Sequence, residues 1–154
     1  MTETIVLRKA TQLDASAIAK VYLASRKELL AFAPLIHSDE SIFQWIRDIL
    51  IPADQVTVAE ENGTIVGMMV LSKSNNIGWI DQLYLSPTAV GKGIGTRLVT
   101  AAKATLGSPI RLHTFQENIS ARHFYERHGF KLIELGVGST NEEKCPDALY
   151  EWRE

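Results

Sequence analysis

The chain has 154 residues, 45% of them hydrophobic and 22% charged. That is the length of one domain, 1–154, with an ordinary globular balance, and it excludes disorder, collagen and coiled coil. Sixteen Lys and Arg against eighteen Asp and Glu give a net charge of −2, which disfavours a phosphate-backbone binder, so nucleic acid is not an expected partner.

Ile5-Val-Leu-Arg-Lys reads as a short strand. Asp14 opens a helical stretch in which Ala15, Ile18, Ala19 and Tyr22 recur at the helical period. His37-Ser38-Asp39-Glu40 reads as a helix start, with Ser38 able to cap and two acids at the positive end of the macrodipole. Phe43, Ile46 and Leu50 are the expected apolar stripe of that second helix. Val56 to Glu60 and Thr64 to Ser72 are strands joined at Asn62-Gly63, a strong hairpin signal because a type I′ turn needs φ > 0 at both central positions. Gly78 to Leu85 is another strand. After Ser-Pro and a glycine-spaced turn comes a helix through Leu98, Ala101, Ala102 and Leu106. Pro109 to Phe115 is a strand, and Asn118 caps a helix that Gly129 stops. Phe130 to Val137 and Ala148 to Trp152 close the chain as strands. This order predicts a mixed sheet with helices on both faces.

Cys145 is the only cysteine, which excludes a disulfide framework and leaves thiolate metal sites without a second sulfur. No metal is expected. The longest apolar run, Ile65 to Leu71, is far shorter than the ~20 residues that span a bilayer. Met1-Thr-Glu-Thr lacks the features of a secretory leader. A cytoplasmic protein with no membrane partner is expected.

Val90-Gly91-Lys92-Gly93-Ile94-Gly95-Thr96 lies between a strand and a helix. Glycines let the backbone take φ > 0 and approach a ligand, and a helix N-terminus offers free N–H groups to an anion. The pattern suggests a pyrophosphate cradle, or else a plain tight turn. A P-loop fails, because no Gly-Lys-Ser/Thr triplet exists in the chain. A Rossmann fingerprint fails too, because its third glycine falls on Thr96 or Leu98.

The turn resembles that of the GNAT superfamily of acyl-CoA-dependent N-acyltransferases, Arg/Gln-x-x-Gly-x-Gly/Ala, with Gly93 and Gly95 at the glycine positions. Val90 stands where the family usually has Arg or Gln. Asn118-x-x-Ala121-x-x-Phe124-Tyr125-x-x-x-Gly129-Phe130 is similar to the family's other signature, and the order of elements agrees along the whole chain. The resemblance implies an α/β (α+β) fold: a mixed, mostly antiparallel sheet of six to seven strands with about four helices on both faces. It also implies transfer of an acetyl group from acetyl-CoA to a primary amine of a small molecule or peptide. The alternative is a GNAT-like domain that binds acyl-CoA as a sensor without transferring. Acetyl-CoA and an amine are the expected partners, with homodimerisation left open.

Direct transfer needs a neutral amine, although a lysine-like amine has a pKa of ~10.4. It also needs a donor for the developing oxyanion and an acid for the leaving thiolate. By the resemblance, Tyr125 is the acid, though it could simply be a core aromatic. Asn118 is similar to the residue that contacts the CoA arm, and is also a plain N-cap. Phe124 and the turn from Val90 through Thr96 belong to the implied CoA site, with main-chain amides holding the pyrophosphate.

Strict alternation places Trp79, Asp81, Leu83 and Leu85 on one face of their strand, and Ile80, Gln82 and Tyr84 on the other. Family members draw their base from the positions of Trp79 or Asp81. Trp79 cannot be a base. Asp81 could be one, or could bind the substrate ammonium. Leu83 and Leu85 are implied to act through backbone groups that the family's strand splays open for pantetheine and the acyl carbonyl. His37, Trp79 and Glu143 are candidates for the acceptor pocket. If Asp39, Glu40, Glu142 and Glu143 converge there, the acceptor is cationic.

Overall fold

A computed structural model describes residues 4–154. The elements follow the expected order: β1 (Ile5–Lys9), α1 (Ala15–Leu29), α2 (Asp39–Trp45), β2 (Val56–Glu61), β3 (Thr64–Ser74), β4 (Ile77–Leu85), α3 (Ile94–Leu106), β5 (Ile110–Phe115), α4 (Ile119–Arg127), β6 (Lys131–Gly136) and β7 (Asp147–Trp152). Local chemistry explains the boundaries. Ser38 accepts from the Ser41 amide at the start of α2, and Asn118 from the Ala121 amide at the start of α4. Asn62 and Gly63, at φ 52° and 84°, turn β2 into β3. Asn75 and Asn76, at φ 53° and 63°, do the same between β3 and β4. Asparagine tolerates that left-handed region, so both strands run further toward the turn than the sequence reading placed them.

Among the described residues seven strands lie in the order β1-β2-β3-β4-β5-β7-β6, with β4 and β5 the only parallel neighbours. Helices cover both faces. On one, Ile18, Tyr22, Ile42 and Ile46 pack against Val58, Met68 and Val70. On the other, Leu98, Ala102, Tyr125 and Phe130 pack against Met69, Ile80, Leu112 and Tyr150. No helix among the described residues is long and apolar enough to cross a membrane.

Two details differ from simple periodicity. Ile42, rather than Phe43, leads the buried stripe of the second helix, and Phe43 is only partly buried. The helix continues as a π turn over Ile46–Leu50, in which the Ile51 amide reaches back to the Ile46 carbonyl at 3.0 Å. The wider turn keeps Ile42, Ile46 and Leu50 all buried.

The second difference is in β4. Val70 pairs with Gln82 and Leu71 with Ile80, so Asp81 has no partner across the ladder. This bulge adds one residue and re-phases the strand. Ile80, Leu83 and Leu85 therefore share the α3–α4 core, and Tyr84 joins the α1–α2 core. The expected separation of Ile80 from Leu83 and Leu85 is overturned.

Candidate active site

Strands β4 and β5 are paired only at Gly78↔Ile110 and Trp79↔Arg111. Beyond that point the β5-facing amides and carbonyls of β4 have no partner in the sheet, and buried backbone groups need one. A cavity of about 410 Å³ lies along this opening, lined by Leu83, Leu85, Asn118, Phe124 and Tyr125, together with Val90, Gly91, Gly93, Gly95 and Thr96 of the glycine turn.

Two of these glycines serve different needs. Gly93 is the N-cap of α3 at φ +81°, with open space around its missing Cβ. A side chain there would be strained whatever the room. Gly95 is inside the helix, and its Cβ would stand 3.1 Å from the Phe124 ring. The first backbone bond of α3 runs from the Arg97 amide to Gly93 O at 3.2 Å. The amides of Ile94, Gly95 and Thr96 thus face the turn without intrahelical acceptors. The Thr96 hydroxyl lies 3.2 Å from His128 Nε2. The Ile94 side chain is buried in the core, and Lys92 Nζ lies 3.4 Å from Glu61 Oε2, so neither side chain lines the cavity.

Tyr125 is 8% exposed, and its hydroxyl makes no hydrogen bond to the described residues. Burial alone pushes its pKa up, so the phenol stays protonated across the neutral range. Asn118 caps α4, its Oδ1 accepting from the Ala121 amide at 3.2 Å, and it also lines the cavity.

A second cavity, of about 660 Å³, adjoins the first, and Asp81, Gln82, Tyr84, His113, Thr114 and Phe115 line both. Asp81 sits at the junction on its bulge. Although the residue is exposed, partial desolvation of its carboxyl raises the pKa, and a hydrogen bond from Ser72 pulls the other way. His37 and Glu142 close one side of the second cavity with a 3.0 Å contact. Glu143 is also in the wall, 3.9 Å from Arg26. Asp39 and Glu40 stay outside it: Asp39 pairs with Lys27 at 3.5 Å and Glu40 accepts from Gln44 at 3.1 Å. Only part of the expected acidic convergence exists. Trp79 lines neither cavity; it stacks flat on His113 with centroids 5.6 Å apart.

Periodicity passed over Arg26, Tyr22 and Tyr84 as site residues. Arg26 is 5% exposed, and its guanidinium reaches Tyr22 Oη at 3.1 Å and Pro34 O at 3.2 Å. Tyr22 and Tyr84 meet edge to face at 4.8 Å. Burial raises the pKa of both phenols, and Arg26 opposes that rise. The available signal was a charge on the apolar face: Ile18, Tyr22 and Arg26 follow one another at four-residue spacing.

Comparison with known proteins bears on the family and the fold. The sequence is 27% identical over 135 residues to a Bacillus subtilis (strain 168) protein named "Uncharacterized N-acetyltransferase YhfO", covering 81% of this chain and 89% of that one. The structure superposes on PaiA N-acetyltransferase from Thermoplasma acidophilum, solved in complex with coenzyme A, with a TM-score of 0.76 and 24% identity over 98% of this chain and 99% of the other. The apo form of YjaB from Escherichia coli gives 0.77 and 21% over 97% of each. The model of the acetyltransferase (GNAT) family matches residues 21–130, and the chain belongs to that family, as an acyl-CoA-dependent N-acyltransferase.

Proposed function

We propose that the protein moves an acetyl group from acetyl-CoA to a primary amine by direct attack, in a cytoplasmic setting. The observation that carries this reading is the unfinished seam between β4 and β5, which brings the free amides of α3, the Tyr125 hydroxyl and Asp81 to one continuous pair of cavities. In this reading the amides of Ile94, Gly95 and Thr96 hold the pyrophosphate, and the β5-facing edge of β4 around Leu83 and Leu85 receives the pantetheine amides and the acyl carbonyl.

Asp81 takes a proton from the ammonium, and the freed amine nitrogen attacks the thioester carbon. The C–S bond then breaks, Tyr125 gives its proton to the leaving sulfur, and the second proton shed by the attacking nitrogen as it becomes the amide is returned, through solvent in the cavity, to the Tyr125 oxygen. Burial keeps the phenol protonated, so a proton is present at the leaving sulfur, and a carboxyl raised by desolvation suits the acceptance. The experiment is thiol release from acetyl-CoA with a panel of primary amines, with the acetylated product identified by mass. Binding of CoA without amine-dependent thiol release would refute the transfer.

A further inference from the structure

Arg26 is the one charged residue in the buried set of the described chain. Enclosing a guanidinium is costly unless an anion and good hydrogen bonds compensate. Here compensation is incomplete. Its hydrogen bonds go to the hydroxyls of Tyr22 and Tyr84 and to the Pro34 carbonyl, all neutral. The carboxylate next to it, Glu143, is 3.9 Å away, beyond hydrogen-bond reach. Its Nε is buried with no partner at all, alone among the buried side-chain nitrogens and oxygens described.

The carboxylates of the same cavity are in the opposite condition. Glu142 is held by His37 at 3.0 Å, Asp147 accepts from Asn141 at 3.2 Å, and Asp81 accepts from Ser72. The unmet demand in this cavity is therefore for an anion. A guanidinium presents a planar fork that matches a carboxylate in two parallel hydrogen bonds.

We infer that Arg26 reads a carboxylate on the acceptor, so that the acceptor is a small amino acid-like molecule with its carboxylate at Arg26 and its amine toward Asp81. This rests on the transfer reading above for the identity of the cavity as an acceptor site. Glu143, loosely placed at 3.9 Å, then competes with the ligand for the same guanidinium. The acidic wall would otherwise point to a polycation, which the test includes.

The test is calorimetric titration of the CoA-saturated protein with the protein amino acids and with the amines left by removing each carboxylate, including lysine against cadaverine. At least one amino acid should bind more tightly than its decarboxylated partner by about tenfold or more. Arg26→Gln should bring that ratio close to one, Arg26→Lys should restore part of it, and Glu143→Gln should tighten amino acid binding a few-fold. The wild-type ratio and the Glu143→Gln result stand even if Arg26 variants fold poorly. Equal binding within every pair, tighter binding of cadaverine than lysine without any amino acid preference, or no amino acid binding at all would overturn the inference. Acetyl transfer to amines with no carboxylate preference would remove the inference and leave the transferase intact. Carboxylate-dependent binding with no transfer to any acceptor would do the reverse.

Discussion

Gly95 lies so close beneath Phe124 that a Cβ would stand 3.1 Å from the ring, which ties the first turn of α3 to α4. Gly95→Ala should displace one helix from the other, lowering thermal stability by about 1–3 kcal/mol and loosening acetyl-CoA binding. Gly93→Asp should weaken that binding strongly, because it adds left-handed strain and a negative charge at the helix entry. Val90→Arg should leave affinity unchanged or modestly tighter. Calorimetry with CoA on folded variants checks all three, and unchanged affinity in Gly93→Asp would remove the cradle.

Tyr125→Phe deletes a hydroxyl that has no hydrogen bond to the described residues, so the fold should tolerate it. We expect kcat to drop roughly 10²-fold with CoA affinity preserved. Because burial raises the phenol's pKa, Tyr125 should add no alkaline limb to the rate below about pH 10. Turnover at the wild-type level would reduce the residue to packing.

Asp81 works as a base only when ionised, and its pKa is raised. The acid limb of kcat/KM should accordingly lie above the ordinary carboxylate value of about 4. Asp81→Asn should depress kcat/KM, and raising the pH should recover part of the loss as free amine appears. If Asp81 instead anchors the ammonium, KM should rise while kcat holds. A pH–rate series on both proteins separates the two outcomes, and no effect on either parameter excludes both.

Away from the site, Arg8 grips Asp14 through two hydrogen bonds of 2.7 and 2.9 Å, and the Asp14 pKa falls to about 2. A depressed carboxyl stabilises the fold above its unfolded pKa of about 3.9 and loses that contribution as pH drops through about 2. With the Arg8 side chain 35% exposed, screening limits the gain to about 1–2 kcal/mol. Chemical denaturation should show Asp14→Asn less stable than wild type at pH 7, the gap closing between about pH 4 and 2. A gap independent of pH would assign the loss to packing.

How legible this was depended on the range of the interaction. Ser38, Asn62-Gly63 and Asn118 act on their own neighbours, so their caps and turn could be read directly. The glycine turn was legible for the same reason. The phase of β4 was not, because the bulge at Asp81 is set by its register with β3, and nothing near Asp81 announces it. It matters chemically, since it leaves the carboxylate outside the ladder where the cavities meet. Arg26 was hidden for a different reason. Its partners, Tyr84 and Glu143, come from β4 and from the β6–β7 connection, and only the folded chain brings them together.

The seam between β4 and β5 divides the sheet into a four-stranded and a three-stranded antiparallel block. Each block acquires an edge that faces inward. Outward edges invite pairing with other chains and are a source of aggregation. These two are backed by the helical layer that includes Leu98, Phe124 and Tyr125, and the cavity along the seam is all that separates them. Zipping the strands together by a few more ladder pairs would strengthen the sheet and close the cavity that lies along the seam.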